Sequence, residues 1–176
     1  LGRILHGSIQ SRLWAAALRL DQAARTPGPE LSATLDEEIR TLAAVLDELR
    51  SIGTNDRAAI DVGPVLSEVA SVWRNVAEVD VDLPHEARAL LERDPIAAEQ
   101  VVEVTREAIA NAVRHGRASR IHVSVTSIEP RDLRLSIDDN GAVTAPSPEG
   151  LGTDLMRGLT RFLAVEASPL GGTRIT

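Results

Sequence analysis

Residues 94–116 read DPIAAEQVVEVTREAIANAVRHG and predict one long helix. Asp94 can cap the start of this helix, and Pro95 suits its first turn. Gly116 stands just past its end, where a helix commonly stops. Apolar residues recur along the helix at the spacing that lets one face pack on a sheet. We therefore expect helices layered on a sheet in this part of the chain.

A polar stripe interrupts this helix. Glu107, Asn111 and His115 stand four residues apart, so they lie above one another on one side. A solvated face is one interpretation, and the wall of a ligand site is the other. Asn is a poor choice for a helix interior, but its side-chain oxygen is a suitable ligand for a hard cation such as magnesium. In a ligand site, Glu107 could orient a water or accept a proton, and His115 could contact phosphate.

Alternating apolar and polar residues on both sides of the helix predict strands. These strands occupy residues 79–83, 120–127, 133–138, 163–167 and 171–176. Further helices are predicted at 61–76 and 152–163. The fold class of the second half is therefore α+β, with helices over one face of a mixed sheet. His85 is expected in a loop, and His122 on the solvent side of a strand.

The first fifty or so residues predict an antiparallel helical hairpin, broken by Pro27, Gly28 and Pro29. Each helix has an apolar seam, formed by Leu5, Ile9, Leu13, Ala17 and Leu20 and by Leu31, Leu35, Ile39, Leu42, Leu46 and Leu49. Two helices cannot bury both of their faces alone, so we expect a homodimer with a four-helix bundle. Docking of the hairpin on its own second domain is the alternative. The predicted domains are 1–55 and 56–176.

Composition narrows the class of protein. The 176 residues carry a net charge of −7, which argues against nucleic-acid binding. There is no cysteine, hence no disulfide framework or thiolate metal site. No apolar run approaches the ~18 residues of a membrane span, and no signal peptide is visible, so we expect a cytoplasmic location. Because the chain begins at Leu1 rather than Met, we expect a fragment whose sensor or membrane domain lies outside it.

Three further motifs follow the long helix. Asp139 and Gly141 stand at the end of a strand, within SIDDNGA. EGLGTD places Gly150 and Gly152 directly before a predicted helix, where free backbone N–H groups bind phosphate. GGTRIT places Thr173 on the last strand. Each signal is common by itself, but their order and spacing together are specific.

In that order, the motifs resemble the ATP-binding domain of sensor histidine kinases, from about residue 60 to the end. That domain belongs to the GHKL superfamily, which also includes DNA gyrase and the MutL repair protein. The matched positions are Glu107, Asn111 and His115 in the N-box, Asp139 and Gly141 in the first glycine box, Gly150 and Gly152 in the second, and Thr173 in the last strand. The resemblance implies an α/β sandwich that binds Mg-ATP beside a lid.

The resemblance also implies a role for each matched position. Asn111 holds magnesium, and Glu107 lies near the γ-phosphate. Asp139 binds the adenine amino group, with Thr173 supporting it through water. The glycines that shape the lid and approach the phosphates are Gly141, Gly150 and Gly152. One departure is Val143, which stands where the first box usually has a second glycine.

The N-terminal hairpin is similar to the dimerisation and phosphoacceptor domain of the NarL-partner class of these kinases. His6, in RILHGSIQSRL, stands at the phosphorylated position. The resemblance implies autophosphorylation of His6 and transfer to an aspartate of a response-regulator receiver domain. Gly7 replaces the usual acidic neighbour, and Ser11 replaces a glutamine that positions water, with Gln10 one residue early.

Three functions therefore stay open. The first is the core of a two-component histidine kinase. The second is a dimeric ATP-binding regulator without phosphoryl transfer, which Gly7 and Val143 favour and the N-box opposes. The third is a protein-serine kinase of the anti-sigma type, which the heptad-like hairpin opposes. The place of the phosphate separates them. The first function predicts phosphate on His6, the second predicts none on the chain, and the third predicts phosphate on a partner's serine.

Overall fold

The computed structural model of the protein describes residues 2–25, 30–51, 61–128, 132–142 and 156–176. The chain divides into two units, Leu1–Ala58 and Ala59–Thr176. The domain boundary predicted between residues 55 and 56 lies outside the described residues. The predicted lid, Ala142 to Glu149, lies outside them except for Ala142, and so do Gly150 and Gly152.

The first unit contains helices α1 (Gly2–Arg25) and α2 (Glu30–Ser51). Arg19 on α1 and Glu38 on α2 form a bidentate ion pair, with Arg19 Nη2 3.0 Å from Glu38 Oε2 and Arg19 Nε donating to Oε1. The Glu38 residue is only 2% exposed. Because a buried carboxylate needs a partner, this pair fixes how the two helices face each other.

Large apolar side chains of the first unit remain exposed. They are Leu13, Trp14, Leu35 and Ile39, with 44%, 45%, 43% and 63% of their surface accessible. Leu13, Leu35 and Ile39 belong to the apolar seams predicted from the sequence. Nevertheless, no helix in the described part of the chain has an apolar stretch long enough to cross a membrane.

The second unit is built on a five-stranded mixed sheet with the strand order β1-β2-β3-β5-β4. The strands are β1 (Glu78–Asp82), β2 (Arg120–Ile128), β3 (Asp132–Asp139), β4 (Val165–Ala167) and β5 (Thr173–Ile175). β1 and β2 are parallel, and the other neighbouring pairs are antiparallel. The helices are α3 (Val62–Ser71), α4 (His85–Arg93) and α5 (Pro95–Arg114). The prediction of an α+β fold with a mixed sheet is confirmed.

The core lies between one face of the sheet and the helices. On β2, Ile121, Val123 and Val125 are buried, whereas the alternate residues His122 and Ser124 are half-buried. Helices α3, α4 and α5 pack on the buried face, where α5 contacts β2 and β3. The largest fully buried side chains include Trp73, Leu66, Leu91 and Ile109. Since alternate residues of a strand face opposite sides, the even-numbered residues of β2 and β3 form a second, outer face.

The start of α5 follows from local chemistry. Asp94 Oδ1 accepts hydrogen bonds from Ile96 N at 3.1 Å and Ala97 N at 3.0 Å. Pro95 occupies the first position, where its missing N–H costs nothing. The predicted helix and its cap are therefore confirmed. At the other end, Arg117 and not Gly116 adopts the left-handed conformation, with φ of 54°.

Two local predictions are wrong. The sequence HEARALLER forms α4, so His85 begins a helix and does not lie in a loop. This helix has only two buried residues, Ala87 and Leu91, which leaves little apolar periodicity to detect. The helix predicted at 152–163 is shorter: among its described residues, 156–159 are helical and those from Thr160 onward are not. His122 lies on β2 as predicted, with Nδ1 3.0 Å from Asp80 Oδ2.

Candidate functional site

Asp139 is the last residue of β3, and its carboxylate organises the surrounding turns. Asp139 Oδ1 accepts hydrogen bonds from the backbone N–H of Gly141 at 2.7 Å and of Thr173 at 3.2 Å. The residue is 7% exposed. No hydrogen bond from the described part of the chain reaches Oδ2. The two backbone donors therefore fix the side chain and leave its second oxygen as an acceptor.

Glycines allow the backbone to approach this carboxylate. A Cβ atom on Gly172 would lie 2.2 Å from Asp139 Oδ1 and 2.6 Å from Gly141 N. A Cβ atom on Gly141 would lie 2.6 Å from Gly116 O. Gly172 N donates to Asp139 O at 3.0 Å, and Ala142 N donates to Gly116 O at 2.8 Å. The end of α5, the end of β3 and the turn before β5 are therefore in direct contact.

We predict that Gly172→Ala strongly disturbs this part of the molecule. The new methyl group overlaps the Asp139 carboxylate, and overpacking of this severity is expected to reduce the free energy of unfolding by about 3 kcal/mol. The matched control is Gly158→Ala, because a Cβ atom on Gly158 has no neighbour within 4 Å. Urea unfolding measures both variants. Equal midpoints for Gly172→Ala and Gly158→Ala would contradict the close approach.

The polar stripe on α5 is narrow. Between residues 101 and 114, all positions are buried except Arg106, Glu107, Asn111 and Arg114. Only a narrow, half-buried strip of this part of the helix therefore reaches the surface. His115 follows the helix as its C-cap, is exposed, and donates its backbone N–H to Asn111 O at 2.9 Å. The rise of a helix places Asn111 about 7 Å along the axis from Gly116, which contacts the Asp139 turn.

Several groups at this end of α5 attract cations. The carboxyl end of a helix carries a partial negative charge, and α5 directs that end toward the turn of Asp139. Glu107 and Asp139 add carboxylates, and Asn111 adds an amide oxygen. Magnesium typically uses one or two protein oxygens and takes its other ligands from water and substrate phosphates. This set of side chains therefore fits a magnesium nucleotide: an acceptor for an amino group, an amide oxygen for the metal and a carboxylate for a water.

Glu103 lies one helical turn before Glu107 and is 5% exposed. Burial raises the pKa of Glu103 above its ordinary value of 4.5, although the ion pair with Arg106 opposes the shift. Glu107 and Glu99 add repulsion that also raises this pKa. The folded chain therefore keeps the Glu103 proton to a higher pH than the unfolded chain does.

We predict a pH dependence of stability that Glu103→Gln removes. Because the folded pKa is raised, the contribution of Glu103 is fully present below the unfolded pKa and is lost as pH rises through the folded pKa. The stability of the wild type relative to Glu103→Gln is therefore expected to fall as the pH rises above 4.5. Urea unfolding of both proteins between about pH 4 and pH 7 measures it. A difference in unfolding free energy between the two proteins that does not change with pH would contradict the raised pKa of Glu103.

The structure brings together only part of the predicted set. Asn111, Asp139, Gly141 and Thr173 lie on elements that converge, and Glu107 lies on the stripe one turn from Asn111. Gly150 and Gly152 lie outside the described residues. His6 lies within α1, in the other unit, and the structure does not describe its side chain.

Sequence reasoning missed Asn140. Its Oδ1 accepts from Ser119 N at 2.9 Å and Arg120 N at 2.8 Å, and its Nδ2 donates to Ser119 Oγ at 3.1 Å. Asn140 thus ties the start of β2 to the turn that follows Asp139. Its place inside the Asp-x-Gly motif was the available signal, but the partner, 21 residues away, becomes visible only in the fold.

A cavity of about 650 Å³ lies elsewhere in the second unit. It is bordered by α3, the turn after it and β1, with Ser67, Ser71, Arg74, Glu78 and Ser119 among its lining residues. None of the predicted site residues lines it.

Known sensor proteins and histidine kinases are similar to this chain. No protein-family model matches the chain. The methanol utilization control sensor protein MoxY of Paracoccus denitrificans is 32% identical over 154 residues, which cover 78% of this chain and 34% of MoxY. The sensor-type histidine kinase PrrB of Mycobacterium leprae is 26% identical over 145 residues, which cover 69% of this chain and 32% of PrrB. The chain thus spans about a third of the length of these relatives.

A solved structure supports the fold. The blue-light activated histidine kinase of Erythrobacter litoralis superposes with a TM-score of 0.50 at 18% identity, covering 93% of this chain and 60% of that chain. At this identity the likeness shows a shared fold. The relatives are sensor proteins and histidine kinases. The resemblance inferred from the sequence motifs is therefore confirmed, and the chain is a homologue of sensor histidine kinases.

Proposed function

We propose that this chain is the kinase core of a two-component sensor. It binds Mg-ATP beside Asp139, phosphorylates His6 and passes the phosphoryl group to an aspartate on a response-regulator receiver domain. The observation that carries the proposal is the Asp139 carboxylate, held by two backbone N–H groups with Oδ2 left over. Since the relatives are about three times as long, a sensor domain outside the chain belongs to the same proposal.

The adenine contact follows from hydrogen-bond chemistry. A carboxylate only accepts hydrogen bonds, and adenine has an exocyclic amino group that donates them. Asp139 Oδ2 is the oxygen that remains for this donor. Guanine carries an oxygen at the corresponding position, which a carboxylate repels. The Asp139 site therefore favours adenine nucleotides.

The phosphates and magnesium would lie toward α5. In this proposal Asn111 holds the metal, Glu107 orients water or the reacting phosphate, and His115 contacts phosphate oxygens. Magnesium neutralises charge on the phosphates, and most of the catalysis of phosphoryl transfer comes from such neutralisation and from positioning. Gly150 and Gly152 are the proposed lid glycines.

The acceptor is the imidazole of His6. A nitrogen of the ring would bond to the γ-phosphorus as the bond to the leaving oxygen of ADP breaks. The usual acidic neighbour that removes the ring proton is replaced here by Gly7. We assign that role to Glu107, acting through a water.

Dimerisation is supported by the exposed apolar side chains of the first unit. Leu13 and Trp14 on α1, and Leu35 and Ile39 on α2, are between 43% and 63% exposed. Burying such groups is favourable by roughly 25 cal/mol per Å². A second copy of the same two helices would cover them and complete a four-helix bundle.

A second candidate function is an ATP-binding regulator that transfers no phosphoryl group. Gly7 favours it, because without an acidic neighbour the His6 proton lacks the usual base. This candidate shares the Asp139 site with the first and differs from it only at His6.

The test is phosphorylation of the full chain with γ-labelled ATP and magnesium. We expect label on the wild type that is stable to base and labile to acid, and none on His6→Gln. His85→Gln is the matched control, since His85 is an exposed histidine at the start of α4. ATP binding without label on the wild type would refute the kinase and support the regulator.

A further inference from the structure

An ion pair between the buried Asp138 and the partly exposed Arg174 lies next to Asp139, on the outer face of the sheet. Asp138 is 3% exposed. It accepts from Arg174 Nε at 2.8 Å through Oδ1 and from Arg174 Nη2 at 2.8 Å through Oδ2. Ser168 Oγ donates to Asp138 Oδ1 at 2.9 Å. A bidentate guanidinium–carboxylate pair has a strongly defined geometry, so this cluster holds its three residues in fixed positions.

The cluster is linked to Asp139 by the chain itself. Asp138 precedes Asp139 on β3, and Arg174 follows Thr173 on β5. Thr173 is the residue whose N–H donates to Asp139 Oδ1. The two strands pair only at Ile137 with Ile175 and at Asp138 with Arg174. The ion pair adds two side-chain hydrogen bonds to this short pairing, next to the point where Thr173 N donates to Asp139.

Ser168 connects the preceding turn to the same ion pair. Ser168 Oγ accepts from Leu170 N at 3.0 Å, and Ser168 N donates to Gly172 O at 2.9 Å. Gly172 is the residue that packs against Asp139 Oδ1. The position of Gly172 therefore depends on the turn that Ser168 anchors to Asp138.

We propose that Asp138, Arg174 and Ser168 are positioning residues that hold the Asp139 carboxylate in place and thereby set the preference for the adenine amino group. This inference rests on the proposed function. An ion pair whose carboxylate is buried contributes little net stability compared with apolar packing, because desolvation of that carboxylate offsets the attraction. The pair instead fixes the geometry of the neighbouring Asp139 site.

The test compares two nucleoside diphosphates that differ in one group. ADP and purine riboside diphosphate are titrated into the full chain with magnesium, and calorimetry gives both dissociation constants. Purine riboside diphosphate lacks the 6-amino group. If the 6-amino group donates a hydrogen bond to the charged Asp139, the wild type should bind ADP about tenfold or more tightly than purine riboside diphosphate.

The main variant combines Asp138→Asn with Arg174→Gln, because removing Arg174 alone would leave the charge of the buried Asp138 unpaired. We expect its preference for ADP to fall to about threefold or less, with unchanged affinity for purine riboside diphosphate. Ser168→Ala keeps the ion pair and is expected to lower the preference in the same direction. Arg134→Gln, at an exposed position on the outer face of β3, is the control and should keep the wild-type preference.

The outcomes separate the inference from the function on which it rests. An unchanged preference in the paired variant and in Ser168→Ala would overturn the positioning role. Equal weakening of both diphosphates would overturn it too, because a merely structural ion pair predicts that result. A wild type that binds ADP no better than purine riboside diphosphate would overturn the assignment of Asp139, and with it the proposed adenine site.

Discussion

Replacing Asn111 with alanine is expected to abolish magnesium-dependent binding of ATP and to leave the chain folded. The proposed site offers magnesium the Asn111 amide oxygen, and alanine has no replacement for it. Asn111 is only half-buried on α5, and alanine is the better helix former by about 0.5 kcal/mol. The thermal midpoint should therefore stay the same or rise slightly. Calorimetric titration with ATP, with and without magnesium, measures the effect.

Gln100→Ala is the matched control for this prediction. Gln100 carries the same amide group, is half-buried on the same helix, and lies three turns before Asn111 on the same side. It is about 16 Å away along the helix axis, so its loss should not change ATP binding. Magnesium-dependent binding that survives in Asn111→Ala would refute the metal assignment and return the stripe to a solvated surface.

The second large effect is expected for Asp139→Asn. The Oδ1 of asparagine still accepts from Gly141 N and Thr173 N, so the fold should be kept. The amide nitrogen then replaces Oδ2 and presents a donor to the amino group of adenine. We expect ATP affinity to fall about 100-fold, since a hydrogen bond to a charged group is lost and two donors oppose each other. The same nitrogen can donate to the 6-oxygen of hypoxanthine, so ITP should become the preferred ligand.

Asp132→Asn serves as the control, because Asp132 is an exposed aspartate at the other end of β3. Competition between ATP and ITP for each protein gives the result. An Asp139→Asn variant that still prefers ATP would show that the adenine ring binds elsewhere.

Sequence alone predicted the parts of the site that depend on local pattern. The long apolar periodicity and the Asp94 cap predicted α5, and the four-residue spacing of Glu107 and Asn111 predicted the stripe. Asp139 and Gly141 were predicted from their position at the end of a strand. These features depend on neighbours within a few residues, which a sequence displays directly.

Other features depend on contacts between distant residues and were not predicted. Asp138 and Arg174 are 36 residues apart and meet only through the pairing of β3 with β5. The GGTRIT motif includes Gly172, but the reason for glycine there, the packing of its backbone against Asp139, becomes visible only in the fold. Helix α4 was missed for a different reason: it buries only Ala87 and Leu91, and so has little periodicity.

The apolar seams of the first unit were predicted only in part. Leu13 and Ile39 were predicted at packing positions, and in the single chain they are 44% and 63% exposed. Periodicity predicts which face of a helix is apolar, but it does not identify the surface that covers it. That surface is supplied in our proposal by a second copy of the chain.

The proposed function requires nucleotide to bind at the turns around Asp139. Backbone amide signals in NMR spectra of the full chain, recorded during a titration with Mg-ADP, report where it binds. We expect the largest shifts at Gly141 and Thr173, whose N–H groups hold Asp139 Oδ1. Shifts confined to Ser71 and Glu78, which line the separate cavity beside α3 and β1, would contradict it.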